Sequence, residues 1–340
     1  MISTKHFISV LLFIATAIQS TRAFLMQSIG SSSTLKYHVF HAHKFDGEVV
    51  VERTYTSSEK EDEDPITSSH EIKYAIHNKM HLSSQQAAPM VVLHGGPGVP
   101  VDYLLPLSDV IPYRSIIFYD QLGCGRSQGP DEKTAYSIES SLDDLELILR
   151  KLGLRKFHLY GQSFGGILAF EYIKRISERG DDHDEPKCLS VILSSSPCDV
   201  DQVESVAGDL IAKLMENDPD ESTIMERFRL NHTFQIAEKP QALVDAYEHA
   251  GKPGVWRGTE SIRGWKATKP ESESSKRMPS CMIMRGEHDF VTADCVEGWK
   301  DAFNHKFVRF KELDDLSHHG LLENGPMYGE MVDSYFAEYD

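Results

Sequence analysis

Residues 157 to 170 read FHLYGQSFGGILAF, a short apolar run followed by Gly161, Ser163 and Gly165 in G-x-S-x-G spacing and then by an apolar helical stretch. No other segment restricts the fold as strongly. A strand that passes straight into a helix must turn sharply, and only residues without a Cβ leave room for the backbones crowded there. Such a turn lifts the serine hydroxyl above the end of the strand, with a helix N-terminus beneath any negative charge that develops. The three-residue spacing alone is common enough to arise by accident; the strand before it and the helix after it supply the mechanism. Ser163 is therefore the candidate nucleophile.

The rest of the chain supplies the sheet that this turn requires. MVVLHG (90–95), SIIFYDQ (115–121), FHLYG (157–161), LSVILSSS (189–196) and CMIMRG (281–286) are short apolar runs without polar alternation, the pattern of parallel strands covered on both faces. KFVRFKEL (306–313) continues the series. SSLDDLELILRKLG places Leu142, Leu145, Ile148, Leu149 and Leu152 on one helical face, with Ser141 and Asp144 as a cap and Gly153 as the stop. Alternation of this kind predicts an α/β fold with a mostly parallel, doubly wound sheet. Antiparallel strands open it: KYHVFHAHKF and EVVVERTY form a hairpin about Asp46-Gly47, and HEIKYAIHNK (70–79) adds a third strand. Between 201 and 266 three helical stretches follow one another with no strand, which predicts an inserted helical cap. The expected division is a core at 36–200, the cap at 201–266 and the remainder of the core at 267–340.

Composition narrows the partners. The chain of 340 residues carries 52 acidic against 35 basic residues, a formal charge of -17. That balance argues against nucleic-acid phosphates and anionic membrane surfaces as ligands. Part of the excess lies in EKEDED (59–64) and DDHDE (181–185), read as solvated loops. The five cysteines show no C-x-x-C spacing, so no structural zinc site is expected. Cys188 and Cys198 are close enough in sequence to pair in an oxidising compartment.

The first residues speak to that compartment. Lys5, an apolar run from Phe7 to Ile18 and small residues Thr21 and Ala23 predict a signal peptide at 1–23. The run is too short to span a bilayer comfortably, and no membrane span is expected in the mature chain. Residues 24–35 are serine-rich and lack acids, as in a transit-like or disordered segment. Secretory entry and plastid import through a bipartite presequence are the two resulting expectations.

A nucleophile needs donors for the oxyanion, and HGGPG (94–98) at a strand end can turn backbone N–H groups toward a substrate. The N–H groups of Gly96 and Phe164 are the natural pair. Where this elbow occurs, an acid and then a histidine follow the serine in chain order. Asp289 lies just past a strand in CMIMRGEHDFVT, with Glu287, Asp294 and Asp315 as rivals. His318 and His319 follow the final strand in KELDDLSHHGLLE. The base must reach Ser163 through Nε2 while a buried carboxylate holds its Nδ1–H.

HGGPG, YDQLGCGRS (119–127), GQSFGG (161–166), GEHDFVT (286–292) and LSHHG (316–320) together resemble the prolyl aminopeptidase, or proline iminopeptidase, family of serine peptidases. This is a group with the α/β-hydrolase fold, and the likeness covers nearly everything after residue 70. It implies a helical cap over the site, release of an N-terminal residue, usually proline, from a small peptide or aminoacyl amide, and no metal or organic cofactor. It also selects between the histidines, implying a triad of Ser163, Asp289 and His318 with Gly96 and Phe164 at the oxyanion. Cap glutamates of the family bind the substrate amine; one of them falls at Val255 here, leaving Glu226, Glu238 and Glu260 as replacements. Trp256 and the aromatic Phe228, Phe234 and Tyr247 would surround a pyrrolidine ring. The alternatives are an esterase or amidase of the same fold acting on a small acyl ester or amino-acid amide, and a binding protein that kept the pocket without turnover.

Overall fold

A computed structural model describes residues 45–56, 64–83, 86–180, 185–250, 262–303 and 307–340. The stretches expected to be a signal peptide (1–23) and a transit-like segment (24–35), together with Val255, Trp256 and Glu260, lie outside the described residues. Eight strands form one sheet: β1 (Gly47–Tyr55), β2 (Ile66–His77), β3 (Met90–Leu93), β4 (Ile116–Tyr119), β5 (Lys156–Gln162), β6 (Lys187–Ser194), β7 (Ser280–Gly286) and β8 (Val308–Leu313). Their order is β1-β2-β4-β3-β5-β6-β7-β8. β1 pairs antiparallel with β2, and β2 with β4; every pairing from β4 to β8 is parallel. The predicted doubly wound sheet with antiparallel opening strands is what the chain forms.

Both faces of the central strands are buried, which is why those runs lack alternation. On β3, Val91 and Leu93 join one apolar layer while Met90 and Val92 join the other. β7 repeats the division with Cys281 and Ile283 against Met282 and Met284. Helices α1 (Ile138–Lys151) and α2 (Phe164–Arg179) cover the first layer, and α6 (Gly325–Ala337) covers the second through Tyr328, Val332 and Phe336. Between β6 and β7 the described chain contains α3 (Val200–Asn217), α4 (Ile224–Phe228) and α5 (Gln241–Ala250). The two ends of this insertion meet: Asp199 bridges to Lys266, Val200 N–H donates to Trp265 O at 3.0 Å, and Ala267 N–H to Cys198 O at 2.8 Å. No helix among the described residues is long and apolar enough to cross a membrane.

The first strand of the expected hairpin lies, but for Phe45, outside the described residues; within them Gly47 is the first residue of β1, and the Asp46 carboxylate before it accepts the Ile76 N–H at 2.6 Å and pairs with Lys79. Gly47 is in register with Tyr74. Two local expectations change. The helix expected to start at Ser141 starts a turn earlier, at Ile138. Ser137 is its cap, in a reciprocal box with Ser140. Asp144 instead reaches across to Arg53 on β1, and burial raises its carboxyl to about 6 against the opposing pull of that guanidinium. Finally, all five cysteines are free. Cys188 opens β6 and Cys198 lies beyond its far end; the strand from 188 to 194 alone separates them by roughly 20 Å, well outside disulfide reach.

Candidate active site

Ser163 sits between β5 and α2 with φ 54° and ψ −121°, a backbone that a residue with a side chain adopts only when its surroundings demand it. The demand comes from close packing. A Cβ at Gly161 would lie 2.3 Å from the Gly165 carbonyl oxygen, and one at Gly165 would lie 2.0 Å from the Leu93 carbonyl oxygen. α2 therefore crosses β5 and β3 at backbone contact, and the serine between them is pushed outward. Its N–H donates to Ser194 O on β6 at 2.8 Å.

The Ser163 side chain does not cap its helix and borders a cavity of about 20 Å³, the room of a single water. Gly96 and Phe164, the two expected oxyanion donors, border the same cavity. Val203 from α3, Ile262, Phe290 and Val291 give it an apolar lining. In so small and apolar a space a backbone N–H acts on a developing charge far more strongly than in water.

The carboxylate and imidazole arrive from the loops after β7 and β8. His318 Nδ1 donates to Asp289 Oδ1 at 2.9 Å, and the same oxygen accepts the Val291 N–H at 2.9 Å. Asp289 Oδ2 is buried and has no partner among the described residues. The Phe290 ring packs on the imidazole with centroids 4.3 Å apart. His318 Nε2 then carries the lone pair, and it accepts from the Gln162 side-chain amide at 3.1 Å. The imidazole thus faces the elbow, and its partner there is the neighbour of Ser163. Catalytic hydrogen bonds commonly tighten only when substrate binds.

Of the other candidates, His319 turns to Tyr247 on α5, 3.2 Å from its hydroxyl, and burial and then the nearby His318 hold it well below the ordinary histidine range. Glu287 accepts the Asp315 N–H, and Asp294 borders a different cavity beside β8. Glu287, His288 and Asp315 are the one group among the described residues with ligand atoms close enough for a cation, and all three are exposed. Glu226 is held by Arg229, Nε to Oε2 at 2.8 Å, and that guanidinium keeps its carboxyl below the usual range. Glu238 is exposed. Phe228, Phe234 and Tyr247 are buried in the apolar layers.

Sequence reasoning overlooked the groups that hold the oxyanion loop. Gln121 brackets His94: its N–H donates to His94 Nε2 at 2.9 Å and its amide to His94 O at 2.8 Å. Burial pushes the His94 imidazole below its ordinary range, outweighing the nearby Asp120. Arg126 joins Asp102 and Asp120 across the same loop. Burial alone would raise the Asp102 carboxyl, but Arg126 and His249 reverse that and hold it far below its usual range. These contacts give the YDQLGCGRS segment a physical role as a brace. Tyr103 and Gln162 are the remaining overlooked pair: Gly95 N–H donates to Tyr103 Oη at 2.8 Å, and Tyr103 Oη donates to Gln162 Oε1 at 2.6 Å.

Comparison with known proteins agrees with this fold. The profile of the alpha/beta hydrolase fold family matches residues 88–325. A proline iminopeptidase of Saccharolobus solfataricus is 28% identical over 290 residues, 77% of this chain and 89% of its own length. One from Thermoplasma volcanium is 29% identical over 265 residues, 71% of this chain and 87% of its own. The crystal structure of the Mycobacterium smegmatis proline iminopeptidase superposes with a TM-score of 0.66 at 21% identity, covering 85% of this chain and 98% of that one, a likeness of fold.

Proposed function

The chain belongs to the alpha/beta hydrolase fold family, and from that membership we propose that it is a serine aminopeptidase removing an N-terminal residue, preferably proline, from peptides. The observation that carries this reading is a strained Ser163 sharing one small, mostly apolar cavity with Gly96 and Phe164, beside a His318–Asp289 pair that reaches the adjoining Gln162. The likeness to proline iminopeptidases supplies the substrate class.

In this mechanism Ser163 Oγ attacks the carbonyl carbon of the N-terminal residue while His318 Nε2 takes the hydroxyl proton. Asp289 holds the imidazole in the tautomer with hydrogen on Nδ1 and stabilises the imidazolium. The carbonyl oxygen becomes an oxyanion between the Gly96 and Phe164 N–H groups. The C–N bond breaks as His318 returns its proton to the leaving amine, which departs as the shortened peptide. Water then attacks the acyl-enzyme, giving its proton to His318 and restoring the serine as the amino acid leaves.

A second reading, an esterase or amidase of small acyl compounds, is favoured by one observation. Glu226 is already neutralised by Arg229 and so offers a free ammonium group little. Prolyl β-naphthylamide, its N-acetylated form and p-nitrophenyl acetate separate the two. An aminopeptidase cleaves the free amide and leaves the blocked one intact; equal cleavage of both rules out a site that reads the amine.

A further inference from the structure

We propose that Gln162 is a positioning residue of the hydrolysis, joining the oxyanion loop to the catalytic imidazole through Tyr103. The proposal rests on the reading of Ser163 as nucleophile and His318 as base.

Gln162 ends β5 immediately before Ser163 and is buried. The direction of each bond in its network follows from the groups involved. Gly95 N–H can only donate, so the Tyr103 oxygen accepts there and sends its own proton to Gln162 Oε1, at 2.6 Å. Burial pushes the Tyr103 phenol well above its ordinary range, so that proton stays in place. The amide nitrogen then faces His318, where the backbone carbonyl, which can only accept, lies at 3.3 Å. The second amide hydrogen points at His318 Nε2, 3.1 Å away. A donor at that nitrogen demands a lone pair on it; a ring nitrogen has only one, so Gln162 holds the imidazole in the basic tautomer and yields the lone pair to the Ser163 hydroxyl when attack begins.

Two consequences follow for turnover. Asp289 and Gln162 grip opposite edges of the imidazole, one accepting and one donating, so both select the same tautomer. Once His318 is protonated, Nε2 becomes a donor that the Gln162 amide cannot accept. The proton is therefore released to the leaving amine, with no competing acceptor in Gln162. At the other end, the Gln162 oxygen lies against the Gly95 backbone, where an added Cβ would approach it to 2.6 Å. The same side chain thereby fixes the peptide that leads into the Gly96 donor.

The test is a double-mutant cycle on prolyl β-naphthylamide hydrolysis with Gln162→Met, Tyr103→Phe and both together, alongside ¹⁵N spectra of His318 in each protein. Q162M should lower kcat about 10- to 100-fold with KM within about twofold, taking as the scale the loss of a partner that orients a metal-bound histidine. Y103F should lose about fivefold, and the double variant should be no worse than Q162M within about twofold, because both act through one chain of bonds. The His318 Nε2 resonance should move toward that of an unbonded lone pair in Q162M. Additive losses, a wild-type kcat in Q162M or an unmoved resonance overturns the proposal. If Q162M fails to fold by circular dichroism, Y103F carries the test through the same resonance, and no shift there is equally fatal. Ser163→Ala run in parallel separates the two layers: activity surviving in it removes the nucleophile, whereas an inactive S163A beside an unaffected Q162M removes only the role of Gln162.

Discussion

Two hydrogen-bonded chains of serine, histidine and aspartate side chains or their neighbours lie at opposite ends of β5. At its carboxyl end stand Ser163, His318 and Asp289. At its amino end, Ser190 Oγ meets His158 Nδ1 at 2.8 Å and His158 Nε2 meets Asp340 Oδ1 at 3.0 Å. By bond lengths alone the second chain is the more complete. Yet Ser190 lies inside β6, Ser190 and His158 are wholly buried, and Asp340 is also gripped by Arg114 through both terminal nitrogens at 2.9 Å. Among the described residues, nothing at that end strains the serine outward or places donors for an oxyanion. A stack of His158 on Phe336, 4.6 Å between centroids, shows what the second chain does: it packs α6 onto the sheet. What separates chemistry from architecture here is backbone strain and the cavity beside the serine, since the fuller set of hydrogen bonds lies at the end without them.

Four measurements sharpen or break that contrast. Ser163→Ala should lower kcat by about 10⁶, the scale for loss of a serine nucleophile, and turnover at the wild-type rate would abolish the distinction between the two ends. Asp289→Asn should cost about 10⁴ in kcat with the fold intact, because an amide imposes the wrong imidazole tautomer. The amino end should answer in stability. Burial first, against the opposing pull of Asp340, holds His158 down at about 4, where its ordinary value is 6.5. Between those two values the unfolded chain takes up a proton that the folded chain refuses. Stability is therefore fully present above pH 6.5 and falls as pH drops toward 4, by about 3 kcal/mol in urea titrations, and His158→Gln should flatten that slope. Smallest of all, Ser190→Ala should cost about 1 kcal/mol of stability and leave kcat/KM within about twofold. A large loss of rate in S190A would make the buried chain part of the catalyst.

The sheet was legible because its central strands are buried on two faces, which writes an uninterrupted apolar run into the sequence at β3, β4 and β6. Ser163 was legible for a related reason: close backbone crossing excludes side chains at Gly161 and Gly165, and that exclusion shows as a motif. Asp289 and His318 could be placed by chain order and by likeness to a family. What escaped notice was long-range polar geometry. Nothing near Asp144 in sequence announces Arg53, which arrives from another strand and draws the carboxylate away from the helix start. Gln162 and Tyr103 are separated by 59 positions and meet only because β3 and β5 are neighbours. The expected role of Glu226 was illegible for a different reason, since a glutamate on a helical insertion takes its meaning from the partner it meets, and Glu226 meets Arg229.

The bridge between Asp199 and Lys266 carries a consequence for redesign. Both ends of the helical insertion are stitched together on the core, so an exchange of everything between them would begin and finish at adjoining chain positions. The entropy of closing such a splice rises only slowly with its length. Lids of quite different size and character could therefore be grafted at this seam, altering which molecules are admitted while the cutting apparatus underneath keeps its shape.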